Sequence, residues 1–142
     1  VFSYENENSE SILDAFLRFF PFSIGENKVI LKKTHATGFN QSRILVFEAT
    51  LTKDNLISQF LEKLMNSMSE SQKSLILQQL ESRLDNEFNL FIRFDQDSWV
   101  NDKRLSLTDS GKCFHLKISI AAFPKNREAA LNVIRKIFNL KG

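Results

Sequence analysis

The sequence predicts an α+β fold in a single domain over residues 1–142, and three observations carry that reading. Residues 90–96 and 113–120 alternate apolar and polar side chains with period two, as strands with one buried face do. Four other segments place apolar residues at helical spacing behind capping residues. The strand-like segments come in adjacent pairs, which implies antiparallel hairpins rather than a parallel α/β sheet. The expected order is β-α-β-β-α-α-β-β-α: a mixed, mostly antiparallel sheet with about four helices packed mainly on one face, leaving the other face partly open.

Residues 1–4 fit a short strand. Ser9 can cap a helix running to position 20, with Ile12, Phe16, Phe19 and Phe20 on its apolar stripe and Pro21 just past its end. Gly25-Glu26-Asn27 signals a turn, after which 28–34 and 43–51 read as strands joined by a polar connection. Thr52 can cap a helix carrying Leu56, Phe60, Leu61, Leu64 and Met65. Ser69-Glu70-Ser71-Gln72 is a capping box that opens a further helix with Leu75, Ile76, Leu80 and Leu84. In the next strand Leu90, Ile92 and Phe94 share the buried face, leaving Phe91, Arg93 and Asp95 on the other. In its partner Phe114, Leu116, Ile118 and Ile120 face inward, and His115, Lys117 and Ser119 outward. The polar residues 101–111 between them are expected to form a long hairpin tip. Pro124 ends the last strand, and Asn126 can cap a final helix with Ala130, Leu131, Ile134, Ile137 and Phe138.

Composition narrows the class. Hydrophobic content of 42% and charged content of 25% are ordinary for a soluble globular domain. Fourteen Phe against one Trp and one Tyr point to a Phe-packed interior. The single cysteine, Cys113, excludes an internal disulfide and suits a reducing compartment. No apolar run approaches the roughly 20 residues of a membrane span. No signal peptide is recognisable in the opening Val1-Phe2-Ser3-Tyr4, so a cytoplasmic location is expected, although the missing initiator Met leaves room for residues upstream. The net charge of +2 hides an alternation: residues 1–27 carry −4, 28–53 carry +4, 54–90 carry −3 and 91–142 carry +5. The basic blocks coincide with the strand-like segments, which can place a positive patch on a nearly neutral protein.

Catalytic chemistry finds little support. The glycines at 25, 38, 111 and 142 are too scattered for a phosphate-cradling loop. His35 and His115 have no second ligand at metal-motif spacing, and one cysteine cannot build a Cys/His zinc site. Cys113 and His115 lie two apart on a strand, about 7 Å at Cα, so a nucleophile pair is conceivable; an inert thiol beside a surface imidazole is the plainer reading. Asp95, Asp97 and Asp102 form an acidic cluster, but Val100 and Ser106 stand where a calcium loop needs Gly and Glu. There is no Gly-x-Ser-x-Gly elbow. The chain is therefore expected not to be an enzyme, and to need no metal or cofactor.

The basic residues are more informative. Lys32, His35 and Arg43 fall on the first hairpin, Arg93 and Lys117 on the second, and Lys103 and Arg104 in its connection. These can meet phosphates while Phe39, Phe91 or Trp99 stacks on unpaired bases. Taken singly each is weak: an exposed strand Lys also reads as merely solubilising, and Phe91 as packed under a neighbouring element. No RRM aromatic motif, KH-type GxxG loop or helix-turn-helix is evident.

Phe88-Asn89-Leu90-Phe91-Ile92-Arg93-Phe94-Asp95, then Trp99-Val100-Asn101-Asp102-Lys103-Arg104-Leu105, then His115-Leu116-Lys117-Ile118 with Ala122-Phe123-Pro124-Lys125, resemble an archaeal family of predicted RNA-binding proteins. Upstream, His35 and Gly38-Phe39-Asn40, followed by Ile44-Leu45-Val46-Phe47-Glu48-Ala49, look like that family's hairpin. The family is also labelled a predicted exosome subunit, and its fold resembles that of the ribosomal protein that holds 5S rRNA. The resemblance spans nearly the whole chain and places the family's Arg-Phe-Asp motif on Arg93, Phe94 and Asp95 and its hairpin aromatic on Phe39. Gln96 and Asp97 depart from the family's Lys and Gln, and the hairpin lacks a second Gly and a Pro after Asn40. What the resemblance implies is a non-catalytic RNA-binding protein, an accessory to RNA processing or the exosome, with RNA and a protein of that complex as partners. The competing class is a protein-interaction or scaffolding domain whose Phe-rich surfaces contact a partner or a second copy of the chain.

Overall fold

The computed structural model describes residues 1–139. Positions 140–142, Gly142 among them, lie outside the described residues. In chain order the elements are β1 (Phe2–Tyr4), α1 (Ser9–Leu17), β2 (Lys32–Thr37), a 3₁₀ turn (Phe39–Gln41), β3 (Arg43–Glu48), α2 (Asp54–Ser67), α3 (Glu70–Gln78), α4 (Leu80–Arg83), β4 (Asn89–Asp95), α5 (Gln96–Asp102), β5 (Cys113–Ser119) and α6 (Arg127–Phe138). The α+β class stands, with six α-helices among the described residues. The strands are divided between two antiparallel sheets, β1-β3-β2 and β4-β5, rather than joined in one.

Local chemistry explains most boundaries. Asn8, not Ser9, caps α1: its side chain accepts from Glu10 N and Ser11 N at 3.1 and 3.2 Å. The capping box at Ser69 is present, with Ser69 Oγ accepting from Gln72 N and Gln72 Oε1 accepting from Ser69 N. The helix it opens breaks at Gln79 into α3 and α4. Asn126 caps α6, accepting from Ala129 N at 2.8 Å. β2 begins four residues later than expected, because Ser23 to Val29 closes a series of turns that puts Lys28 at a φ of 60°.

The largest departure is α5. Asp95 Oδ2 accepts from Ser98 N at 3.0 Å and Ser98 Oγ at 2.8 Å, so the strand ends directly on a helix N-cap. The long hairpin tip is thereby replaced by a helix, a left-handed Lys103 at φ 52°, and a return along the outer edge of β4. On that edge Asp95 N donates to Ser106 O at 2.7 Å and Thr108 N to Arg93 O at 3.1 Å.

One hydrophobic core joins all the layers. Leu90, Ile92 and Phe94 on the inner face of β4, Phe114 on β5 and Phe47 on β3 meet Ile12 and Ala15 of α1, Phe60, Leu64 and Met65 of α2, Ile76 of α3, and Ala130 and Ile134 of α6. The helices thus cover one face of the sheets; on the opposite face Phe91, Arg93, His115, Lys117 and Ser119 are exposed, while Asn89 and Cys113 are buried.

Candidate nucleic-acid interface

Cross-strand partners in an antiparallel pair project from the same face. On the open face of β4 and β5, Phe91 pairs with Lys117, Arg93 with His115, Asp95 with Cys113 and Asn89 with Ser119. In the other sheet buried Ser3 and Phe47 mark the inner face, so Phe2, Tyr4, Ile44, Val46, Lys32, Thr34 and Ala36 belong to the outer one. The two open faces adjoin, because the Phe2 ring lies 6.3 Å from the His115 ring. Glu7 clasps the seam. Its Oε1 accepts from Tyr4 N at 2.9 Å, and its Oε2 accepts from buried Gln96 at 3.2 Å and from Lys112 at 3.0 Å.

The result is a platform with aromatic and cationic side chains interleaved. Phe2 is 43% exposed and Phe91 39%. Among the described residues, neither Arg93 nor Lys117 takes part in an ion pair. Asp95, two residues along the same face of β4 from Arg93, is engaged in capping α5 instead. Arg93 Nη1 donates to the Asp109 carbonyl at 3.3 Å, which fixes the side chain without cancelling its charge. Arg83 enters the same neighbourhood from α4: Gln79 Oε1 accepts from its Nε and Nη2 at 2.9 and 2.6 Å, and its Nη1 reaches the Phe91 carbonyl at 3.5 Å. Burial, moderated by Asp109 and reinforced by Arg93, lowers the Arg83 pKa from its usual high value.

His115 is not a third cation at neutral pH. Burial, with Arg93 beside it, holds its pKa below that of a free imidazole. Its Nε2 lies 3.3 Å from Cys113 Sγ. Burial pushes that thiol up, so the pair is a neutral thiol against a neutral ring, not a thiolate–imidazolium couple. The acidic cluster is likewise dispersed, with Asp95 on its cap; among the described residues no group of three His, Cys, Asp or Glu could hold a metal ion.

The expected site residues divide into three groups. Phe91, Arg93 and Lys117 come together on the platform. Lys32 faces the same way on the neighbouring sheet but pairs with Glu48 at 3.9 Å, while His35 and Arg43 project from the reverse of that hairpin. Phe39 stands at the hairpin tip, 96% exposed, held by Asn40 and Gln41 at φ 58° each. Lys103 and Arg104 directly follow α5, which packs on α1, so they lie beside the helix layer rather than on the platform. Trp99 must be removed from the stacking candidates. It is buried, its Nε1 donates to Ala15 O at 2.7 Å, and its ring packs 4.9 Å from Phe19 and under Arg18. Gln96 also lies inside, so its departure from the motif's Lys alters the clasp rather than the surface. Phe2 and Arg83 escaped sequence reading, one in a strand too short to show a period and the other on a four-residue helix.

A family model described as RNA binding matches residues 1–120. The chain belongs to this RNA-binding family. A Pyrococcus abyssi protein named as an RNA-binding protein is 26% identical over 137 residues, covering 96% of this chain and 88% of its own. The crystal structure of a DUF54 protein from Archaeglobus fulgidus superposes with a TM-score of 0.83 at 26% identity, over 96% of this chain and 93% of that one. A DUF54 protein from Methanothermobacter thermautotrophicus gives a TM-score of 0.77 at 26% identity, over 98% and 93%. The family resemblance and the α+β class read from the sequence are thereby confirmed. The family's description is one of binding, not of a catalysed reaction. Among the described residues no helix is long and apolar enough to cross a membrane.

Proposed function

We propose that this protein binds RNA without catalysing a reaction on it, through the platform of Phe91, Arg93 and Lys117 together with the exposed hairpin of β2 and β3. One observation carries the reading: two unpaired cations and an aromatic ring share an open sheet face in a chain of an RNA-binding family. Arg93 and Lys117 serve as phosphate contacts, Lys32 and the tip residue Phe39 extend the surface along the hairpin, and His35 and Arg43, on its reverse face, meet only RNA that wraps the hairpin edge. Membership of an RNA-processing assembly, the exosome included, is the finer part of the proposal and rests on the motif resemblance; a cytoplasmic location is proposed from the single cysteine, which suits a reducing compartment.

A filter-binding titration with total cellular RNA at two salt concentrations tests the reading. Contact with about five phosphates gives a log–log salt slope of roughly −3.5 on single strands. Reversing both charges, Arg93→Glu with Lys117→Glu, is expected to weaken binding and reduce that slope by about 1.4. No retained RNA at low salt would sink the proposal, and unchanged binding by the double variant would move the site elsewhere. A second reading is favoured by Phe39 and Phe123, 96% and 98% exposed: a protein partner held on apolar tips. That association would change little with salt.

A further inference from the structure

We infer, building on the RNA-binding reading, that the ligand is an unpaired RNA strand lying along β5, with bases stacked on Phe91 and on Phe2 beside His115, and its phosphates on Lys117 and Arg93. The order along the strand supports this. The Phe91–Lys117 pair comes first, then Arg93–His115 with the Phe2 ring alongside, and then Tyr4 under Lys112 Nζ at 5.5 Å. A shallow depression lined by Tyr4, Glu5, Asn6, Ser42, Gly111 and Lys112 continues the track beyond Tyr4. Aromatic and basic groups therefore alternate in one direction, as base and phosphate do on an unpaired strand.

A duplex does not match this arrangement. Its bases are stacked on each other, and what it offers to a flat sheet is phosphate and ribose hydroxyl. Such a ligand leaves the Phe2 and Phe91 rings without a partner, although each is about two-fifths exposed on a face that no helix covers. The His115 ring, neutral in the free protein, adds aromatic surface beside Phe2. Of the cations, Lys112 is held by Glu7, whereas Arg93 and Lys117 make no ion pair among the described residues.

Fluorescence anisotropy with three labelled RNAs tests the inference: an oligouridylate of about ten nucleotides, a duplex of the same length, and an abasic strand with the same number of phosphates. The unpaired strand is expected to bind tightest. Phe2→Leu and Phe91→Leu each weaken it by about 5- to 150-fold, with the salt slope unchanged and abasic binding unaffected. Wild-type protein that binds abasic and uridylate strands equally overturns stacking, whatever the variants do. A duplex bound as tightly as the single strand overturns it too. If Phe2→Leu and Phe91→Leu bind like wild type while Arg93→Gln and Lys117→Gln do not, stacking fails and RNA binding stands. If none of the three RNAs binds at low salt, both fail.

Discussion

Trp99 illustrates how a residue's chemistry is decided by its neighbours. Its indole N–H finds the Ala15 carbonyl, and its ring is enclosed by Phe19 and Arg18, so it joins α1 to α5. Trp99→Phe keeps most of the packing but leaves that buried carbonyl without its donor, for a loss of about 1–3 kcal/mol in urea unfolding, with RNA affinity unaltered. Asp85 is a second structural residue. Backbone hydrogen bonds from Asn89 above all, with the Asn89 side chain and Glu87 N adding to them, hold its carboxyl below the usual carboxylate range. A carboxylate whose pKa is lower when folded stabilises above its unfolded pKa, and that stability is lost as pH falls through the folded value. Asp85→Asn is therefore expected to melt below wild type at neutral pH, with the gap closing in acid. His115 has the opposite interest. Its pKa is depressed in the free protein, first by burial and then by Arg93, and a bound phosphate raises it. RNA affinity should then rise as pH falls below neutrality, and His115→Gln should flatten that rise in a pH series of anisotropy titrations.

At the scale of elements, the sequence was most legible where capping and periodicity agreed. Ser69→Ala removes the capping box of α3 and is expected to cost about 1 kcal/mol by thermal unfolding. The open and buried residues of β4 and β5 were readable because Leu90, Ile92 and Phe94 alternate with Phe91 and Arg93, and that pattern admits only one placement of faces. α5 was not readable. Its seven residues hold too few turns to show a period, and Asp95 reads equally well as the last residue of a strand. The same ambiguity left Trp99 among the candidates for base stacking. Phe2 needed the seam between the sheets to become meaningful, and Arg83 needed the fold of α4 onto β4, neither of which is written in local spacing.

For the whole molecule, the division into two sheets was the principal fact that pattern could not supply. Period-two segments say which face is buried, but not which edges pair, and the seam between β1 and β5 is bridged by side chains rather than by a ladder. Glu7→Gln weakens that bridge by removing the charge that holds Lys112. A small destabilisation is expected, seen in hydrogen exchange as faster opening of β1 while β4 stays protected. RNA affinity should fall with it if the platform has to be continuous, because Phe2 would lose its fixed position beside His115.

The two lysines of β2 carry a further consequence. β2 is the outermost strand of its sheet and is exposed on both faces, with Lys32 and Lys33 pointing to opposite sides. An open strand of this kind is a template on which another chain can add, and lysines are what keep such edges apart. Replacing both by Thr should increase light scattering on standing relative to the parent protein. A ligand that neutralises Lys32 would relieve part of the same repulsion, so crowding several proteins onto one long strand would bring unguarded edges within reach of each other.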